Sequence, residues 1–277
     1  MKLAIIGGSL FNQPGNFTRV TEDRIKTPFG TPSDTFISGA VTARPSMDIT
    51  APPSSLHAEY RPSMDINDAD VVFLNRHGHS HQLAPHQINY RANMFALKIL
   101  EVSHIIAVTA VGGISENMSP MKWVVPDQII DYTFGRMQTY NDGNESEVKH
   151  IDFSYPFDGY LMDKLITVLD KESCTYETQA TYGVTQGPRL ETIAEIKRMQ
   201  RDGCDIVGMT AMPEAALARE LEMDYATLSL VVNWAAGKGV SSTQRAEVIS
   251  MDEIKQRIAT GNEIIEKLIS NVVPLLY

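Results

Sequence analysis

LAIIGGS, residues 3–9, places four apolar residues directly before two glycines and a serine. A short apolar run that ends at turn residues is typical of a buried β-strand. Backbone N–H groups at such glycines can approach an anion, and the Ser9 hydroxyl can also donate to it, although a tight turn accounts for the same residues equally well. The spacing is not the Gly-x-Gly-x-x-Gly of a dinucleotide-binding turn. The stretch therefore predicts a strand with a candidate anion site at its end.

Further apolar runs and helical patterns alternate along the chain. The other predicted strands cover residues 71–74, 105–108, 205–207 and 227–232. The predicted helices cover residues 89–100, 192–199 and 214–221, and a C-terminal segment that opens at Ser250 with a capping box and ends before Pro274. This alternation favours an α/β layered fold, and we expect one domain over residues 1–277.

The composition limits the partners of the protein. Acidic residues outnumber basic ones by 34 to 24, which gives a net charge of −10, and this argues against nucleic acid or an anionic membrane as the partner. The two cysteines have no disulfide or metal spacing and suggest a reducing cytosol. The N-terminal apolar run is too short for a signal peptide, and we expect a soluble, cytoplasmic protein.

Residues 42–68 do not fit the compact pattern. They contain four prolines and a hexapeptide, Arg-Pro-Ser-Met-Asp-Ile, that occurs at residues 44–49 and again at 61–66. Two copies are too few for a solenoid. We interpret the segment as a surface excursion, with a lid over a binding site as the alternative.

Four of the seven histidines lie within residues 77–86, directly after a predicted strand. Three interpretations are open. A metal site lacks a nearby carboxylate or thiolate ligand. A histidine-type phosphatase also places Arg-His-Gly after a strand, with the histidine as the phosphoryl acceptor. The third interpretation is that Arg76 and His77 form the cationic cluster that an acidic protein needs to hold phosphate.

Other polar residues also stand at predicted strand ends. Strand ends in an open α/β sheet converge on one crevice, so these side chains can share a ligand. Their hydroxyl, amide and guanidinium groups are suited to phosphate, without a lysine or a metal. They are Ser9, Arg76, His77, Thr109 and Thr210.

Six longer motifs carry a resemblance to a known family. They are Gly7–Ser9, Arg76–Gly78, Pro85–Asn93, Thr185–Arg189, Gly208–Glu214 and Asn233–Gly237. In this order they resemble the trimeric purine nucleoside phosphorylase and methylthioadenosine phosphorylase family, over nearly all of the chain outside residues 42–68. Residues 128–133, 150–154 and 232–238 are most similar to its bacterial S-methyl-5′-thioinosine phosphorylase branch. In two places the chain departs from the family, with Leu10 where a glycine is usual and a longer connection at 42–68.

The resemblance implies a phosphorylase-like fold with a central mixed, partly barrel-like sheet flanked by helices. It implies a homotrimer with active sites at subunit interfaces, no metal or organic cofactor, and inorganic phosphate as a co-substrate. Phosphate would be bound by Ser9, Arg76, His77, Thr109, Ala110 and Thr210. The nucleoside would be bound by Met209, Leu190, Glu191, Asn233, Trp234, Ala235, Val248 and, from a neighbouring subunit, His150. Asn233 would be the catalytic residue, because it stabilises the departing base.

The same resemblance bears on the choice of base. The 6-aminopurine branch has aspartates where this chain has Asn233 and Ala235. An amide both donates and accepts, so Asn233 can pair with a ring nitrogen and a 6-oxo oxygen. Glu191 stands where 6-oxopurine enzymes carry a glutamate that accepts from the ring N–H, although a solvated carboxylate is the alternative. We therefore expect hypoxanthine or guanine as the base, and S-methyl-5′-thioinosine as the substrate, with inosine or guanosine as the alternative. A non-catalytic purine-binding protein would leave Arg76 and His77 without a role.

Overall fold

The computed structural model describes residues 1–11, 17–41, 70–141, 143, 147–239 and 249–277. The proline-rich excursion at 42–68 and the predicted substrate contact Val248 lie outside these residues. Within them the structure is an α/β fold with a large mixed sheet and helices on both of its faces, as predicted.

The described strands form one sheet. In chain order they are β1 (Leu3–Gly7), β2 (Phe17–Asp23), β3 (Phe36–Val41), β4 (Asp70–Asn75), β5 (His104–Gly113), β6 (Trp123–Val124), β7 (Gln128–Asp131), β8 (Tyr176–Glu177), β9 (Thr181–Val184), β10 (Ile206–Gly208) and β11 (Asp224–Trp234). Their spatial order is β2-β3-β4-β1-β5-β10-β9-β7, with β11 on the other side of β5 and β6 and β8 beyond it. The sheet branches at β5 but is not closed into a barrel. The predicted partly barrel-like sheet is therefore an open, branched sheet.

The helices are α1 (Tyr90–Ile99), α2 (Gly159–Lys171), α3 (Ile193–Arg201), α4 (Ala211–Glu220) and α5 (Met251–Leu276). Side-chain caps define several starts: Asn89 caps α1, Thr192 forms a capping box with Glu195 at α3, and Ser250 caps α5. The predicted end of α5 before Pro274 is wrong, because the helix continues through this proline to Leu276. None of these helices is long and apolar enough to cross a membrane.

Strand β5 occupies the centre of the sheet and is flanked unequally. On one side β11 follows it in parallel from His104 to Gly113. On the other side β1 pairs with it only as far as Ala107, and β10 pairs in the antiparallel sense only from Gly112. Among the described residues, no strand covers residues 108–111 on that side. This opening in the sheet exposes backbone N–H and C=O groups that a continuous sheet would have paired.

Two apolar clusters cover the two faces of the sheet. Alternate residues of β1 face opposite ways, with Ala4 and Ile6 in one cluster and Leu3 and Ile5 in the other. Helices α1 and α4 pack on the first face, and α2 and α5 pack on the second. A strand buried on both faces has a continuous apolar run, which is why β1 could be predicted from the sequence.

Several elements were not predicted. Helix α2 places Leu161, Leu165 and Val168 on one buried face, a helical spacing that could have revealed it. Strands β6 and β8 have two residues each, which is too short for any periodicity to show. The short strands depend on partners distant in sequence.

Candidate active site

The opening beside residues 108–111 leads into a cleft of about 710 Å³. Ten of the predicted site residues line it: Ser9, Arg76, His77, Thr109, Ala110, Leu190, Glu191, Met209, Thr210 and Asn233. We call the part formed by Arg76, His77, Thr109 and Thr210 the inner end, and Ser9 lies exposed at its rim. The part formed by Leu190, Glu191, Asn233 and the first turns of α5 is the outer end.

Arg76 is fully enclosed at the inner end. Its side chain is 1% exposed and forms a two-pronged ion pair with Glu214, with Nε–Oε1 at 2.7 Å and Nη2–Oε2 at 3.0 Å. Nη1 donates to the Val108 carbonyl at 2.8 Å, on the open edge of β5, and Nη2 donates to the Ile6 carbonyl at 3.4 Å. A guanidinium has five N–H groups. One of them, on Nη1, is left for a ligand by these four bonds.

Glu214 has no exposure and is held from both sides. Besides the Arg76 pair, it accepts a hydrogen bond of 3.0 Å from the Tyr225 hydroxyl. Burial alone would lower the pKa of the Arg76 guanidinium, but the Glu214 carboxylate outweighs burial and raises this pKa. Arg76 therefore stays charged, and its charge is already compensated within the protein.

His77 is uncharged at neutral pH. Its Nδ1 lies 2.8 Å from the Leu83 carbonyl oxygen, so Nδ1 carries the hydrogen and Nε2 presents a lone pair. Burial, helped by the charge of Arg76, lowers the pKa of His77 to about 4 against the opposing effect of the Leu83 bond. Of the predicted cationic cluster, Arg76 therefore carries the charge, which Glu214 compensates, and His77 is neutral.

The hydroxyl groups at and near the inner end differ in their hydrogen-bond partners. Thr109 Oγ1 and Ser229 Oγ lie 2.8 Å apart and are both buried. Thr210 is the residue before α4, and its side chain makes no capping bond. The backbone is not helical at Met212, so the regular part of α4 begins at Pro213, which has no N–H group. Ser9 Oγ lies 3.3 Å from His81 Nε2 at the rim.

Two polar side chains define the outer end. Glu191 accepts a hydrogen bond of 2.6 Å from Thr185 Oγ1. Asn233 donates from Nδ2 to the Trp234 carbonyl at 2.7 Å. Both side chains line the cleft, so a carboxylate and an amide face the same space.

The structure does not bring every predicted contact to the cleft. Ala235 is 3% exposed and packs with Ile196 and Val207 in a separate apolar cluster, and it does not line the cleft. Trp234 does not line it either, although its neighbour Asn233 does. His150 is exposed and is not among the residues of its own chain that line the cleft.

Other cleft residues were missed at the sequence level. Met251, Ile254, Lys255 and Ile258, in the first turns of α5, line the outer end. The isoleucines belong to the amphipathic repeat that predicts a core-facing helix, and the repeat continues unchanged where the helix passes from the core to the cleft. Nothing in the periodicity marks that transition. The loop Gln82–Pro85 also lines the cleft. Its position in the sequence, within the histidine cluster, could have indicated this.

The metal interpretation of the histidine cluster gains no support. Across the described ranges, which include all four of these histidines, no group of three or more His, Cys, Asp or Glu side chains is arranged to hold a metal ion. The cluster instead pairs His77 with His81, whose ring centroids lie 4.4 Å apart.

Comparison with known proteins identifies the family. The sequence profile of the phosphorylase superfamily matches residues 50–273. The chain belongs to the phosphorylase superfamily. This membership, rather than the Arg-His-Gly motif alone, decides against the histidine-type phosphatase.

Relatives within the superfamily span the whole chain. A protein of Pseudomonas syringae pv. tomato, named "Probable S-methyl-5'-thioinosine phosphorylase", is 43% identical over 98% of this chain and 97% of its own length. The 6-oxopurine nucleoside phosphorylase of Pyrococcus furiosus is 39% identical over 99% of this chain and 93% of its own.

Solved structures agree with the fold. Methylthioadenosine phosphorylase from Schistosoma mansoni, in complex with adenine, has a TM-score of 0.82 at 28% identity and covers 100% of this chain and 92% of its own. A methylthioadenosine phosphorylase from an antarctic soil metagenomic library has a TM-score of 0.82 at 33% identity, covering 99% and 86%.

Proposed function

We propose that the protein catalyses the phosphorolysis of a 6-oxopurine nucleoside, with S-methyl-5′-thioinosine as the preferred substrate. The products are hypoxanthine and S-methyl-5-thioribose 1-phosphate. The observation that carries the proposal is the cleft at the open edge of β5, where donors suited to an anion at the inner end face a carboxylate and an amide at the outer end. The relatives named for 6-oxopurine substrates support the same class.

At the inner end, phosphate would be held mainly by neutral donors. The free N–H of Arg76, the Ala110 backbone, and the Thr109 and Thr210 hydroxyls converge there. The lone pair on His77 Nε2 would accept from the P–OH of a protonated phosphate. Preorganised donors in a dry site stabilise an anion more than they would in water, so a compensated arginine suffices.

At the outer end, Glu191 would accept from the N–H of a 6-oxopurine while Thr185 holds its other side. Asn233 would turn its amide from the Trp234 carbonyl to the base. A 6-aminopurine has a lone pair in place of that N–H, so two acceptors would face each other across a partly dry contact. This arrangement favours hypoxanthine over adenine.

The apolar part of the outer end suits the methylthio group. Met251, Ile254 and Ile258 give it an apolar wall, where a thioether loses less solvation than a hydroxyl. This wall favours the methylthio nucleoside over inosine and guanosine, which are the alternative substrates. Val248 stays a proposed contact.

The reaction follows from the position of these groups. A phosphate oxygen forms a bond to the anomeric carbon while the bond from that carbon to the purine nitrogen breaks, and the electron pair leaves with the base. Positive charge develops on the sugar beside the bound anion, and Asn233 stabilises the charge on the base as the catalytic residue. The departing base then takes up one proton and the sugar 1-phosphate loses its P–OH proton, so atoms and charges balance without a metal or an organic cofactor.

We also propose a cytoplasmic homotrimer in which His150 reaches the 5′ end of the substrate in a neighbouring subunit. Segment 134–155 exposes several large apolar side chains around His150, which supports burial against another copy. They are Phe134, Met137, Val148 and Tyr155, exposed by 71%, 50%, 56% and 76%. Sedimentation is expected to give a trimer, and a fully active monomer would contradict this assembly.

The decisive test is to incubate the protein with S-methyl-5′-thioinosine, with and without inorganic phosphate, and to follow free hypoxanthine. We expect release only with phosphate, together with formation of the sugar 1-phosphate. Release at the same rate without phosphate would indicate a hydrolase and refute the proposal. Parallel assays with inosine and guanosine decide between the two substrate classes.

A further inference from the structure

Arg136 lies behind the cleft, in the segment after β7, and is not among the residues that line it. Its Nη1 donates to the carbonyl oxygens of Met209 at 2.8 Å and Met212 at 2.6 Å. Its Nη2 donates to the carbonyls of Gln186 at 2.9 Å and Thr185 at 3.3 Å. One side chain therefore joins the segment after β9 to the segment after β10.

The same guanidinium reaches a third segment through Tyr90. Nη1 donates to the Tyr90 hydroxyl at 3.2 Å, and the guanidinium carbon lies 5.4 Å from the centre of the tyrosine ring. The buried Tyr90 hydroxyl donates in turn to the Pro85 carbonyl at 2.8 Å. Pro85 belongs to the loop that lines the cleft beside His77.

The guanidinium of Arg136 makes no ion pair with any described residue. Among the described residues, no carboxylate lies within ion-pair distance of it, and carbonyl oxygens, the Gln186 side chain and an aromatic face surround it instead. A half-buried cation with only dipoles as partners depends on their orientation. The planar fork of arginine can serve both backbone segments at once, which the single ammonium of lysine cannot do.

We propose that Arg136 is a positioning residue that sets the spacing between the phosphate-binding and base-binding parts of the cleft. The segment after β10 carries Met209 and Thr210, and the segment after β9 carries Leu190 and Glu191. Because Arg136 holds the backbone of both, it fixes how far Thr210 stands from Glu191. The catalytic part of this inference rests on the proposed phosphorolysis.

The test compares Arg136→Lys with Arg198→Lys. Arg198 is a matched control because it also lies 5.4 Å from a tyrosine ring, that of Tyr132, but it is 67% exposed and remote from the cleft lining. Arg136→Lys is expected to lower kcat by about 10- to 100-fold and to raise KM for both phosphate and nucleoside, since small misplacements of reacting groups are costly. Its Tm is expected to stay close to that of the control.

A gentler variant covers the case in which Arg136→Lys does not fold. Gln186→Leu removes the side-chain acceptor that lies 3.2 Å from Arg136 Nε and 3.3 Å from the Phe134 backbone nitrogen, and leaves the bonds from Arg136 to the backbone carbonyls in place. It is expected to shift kcat in the same direction by a few-fold. The proposal is overturned if both variants keep kcat and both KM values within about twofold of Arg198→Lys, or if the loss matches the unfolded fraction alone.

A second readout does not depend on the reaction. Hydrogen–deuterium exchange of the free protein is expected to speed up at residues 185–191 and 209–213 in Arg136→Lys and to be unchanged in Arg198→Lys. If the wild-type protein releases no base from any purine nucleoside, the proposed function fails, and the exchange data still decide the positioning role. Unchanged exchange in both segments would overturn that role.

Discussion

At the inner end of the cleft, Arg76, His77 and Thr109 are 1%, 6% and 3% exposed, whereas Leu190 and Met251 at the outer end are 40% and 55% exposed. Arg76 and His77 directly follow β4 and Thr109 lies within β5, whereas the outer residues lie on a loop and on the first turn of α5. A ligand group bound at the inner end therefore meets a rigid, dry surface. Chemistry shared by many substrates suits the inner end, and discrimination between substrates suits the outer end.

The largest expected effect is the discrimination between bases at the outer end of the cleft. S-methyl-5′-thioinosine is expected to be cleaved up to about 10⁴-fold more efficiently than methylthioadenosine, because a mismatched hydrogen-bonding group leaves Glu191 facing a lone pair. Glu191→Gln is expected to narrow this gap, since its amide can donate to that lone pair, and Asn233→Asp is expected to narrow it further. The measurement is kcat/KM on both nucleosides.

Glu263→Gln, on the exposed side of α5, is the control for the loss of a carboxylate. Ala235→Asp is unsuitable as a specificity test because it would place a carboxylate in an apolar cluster. Equal kcat/KM values for the two nucleosides in the wild-type protein would refute the base assignment.

The second effect concerns the buried ion pair of the inner end. Arg76→Ala is expected to lower the free energy of unfolding by about 3–5 kcal/mol, because it leaves Glu214 charged and unpaired in the interior. It is also expected to weaken phosphate binding more than nucleoside binding. Urea denaturation and binding titrations measure the two losses separately.

Arg189→Ala provides the contrast, because the Arg189–Glu195 pair is 68% and 43% exposed, so water screens it and its loss is expected to change the stability much less. Arg76→Ala protein that is as stable as Arg189→Ala would contradict the structural role of the buried pair.

The third effect concerns pH. The pKa of His77 is about 4 in the folded protein and 6.5 when unfolded, so the unfolded chain binds the proton first as pH falls. Without phosphate, the protonation of His77 alone is expected to decrease the free energy of unfolding by up to about 1.4 kcal/mol per pH unit between pH 6.5 and 4, roughly 3 kcal/mol in all. Subtracting the profile of His77→Gln isolates this contribution, and the exposed His79→Gln is the control. Parallel profiles for wild type and His77→Gln would show that His77 titrates normally.

The smallest expected effect concerns the preference of the outer end for a methylthio group over a hydroxyl group. Met251→Gln is expected to shift the preference between S-methyl-5′-thioinosine and inosine by about tenfold towards inosine, because one apolar contact is worth about 1–2 kcal/mol. Ile99→Gln, an equally exposed apolar position on α1, is the control. An unchanged ratio of kcat/KM values would remove Met251 from the 5′ pocket.

The sequence predicted the inner end better than the outer end, for physical reasons. Apolar runs identify buried strands, and the residues after them, such as Arg76 and Thr109, must lie near one edge of the sheet. The partner of Arg76 could not be predicted in this way, because Glu214 stands 138 positions along the chain on a helix. The neutral state of His77 likewise depends on burial and on the Leu83 carbonyl, which no local pattern reveals.

At the outer end, one local pattern is compatible with two different environments. The repeat that places Ile254 and Ile258 on one face is the same whether a helix covers a core or a cleft. The antiparallel pairing of β10 with β5 and the hydrogen bonds of Arg136 depend on tertiary packing. These features, which shape the site, join segments that share no sequence periodicity.

The opening in β5 has a length that follows from strand register. Strand β1 stops at Ala107 and β10 starts at Gly112, so the opening spans four residues, each rising by about 3.3 Å. Side-chain substitutions can change which groups face this space without changing its length. A longer or shorter opening would require one of the flanking strands to gain or lose a residue, and a slip of one residue turns every side chain of that strand to the opposite face. The length of the opening can therefore change only in steps of whole residues.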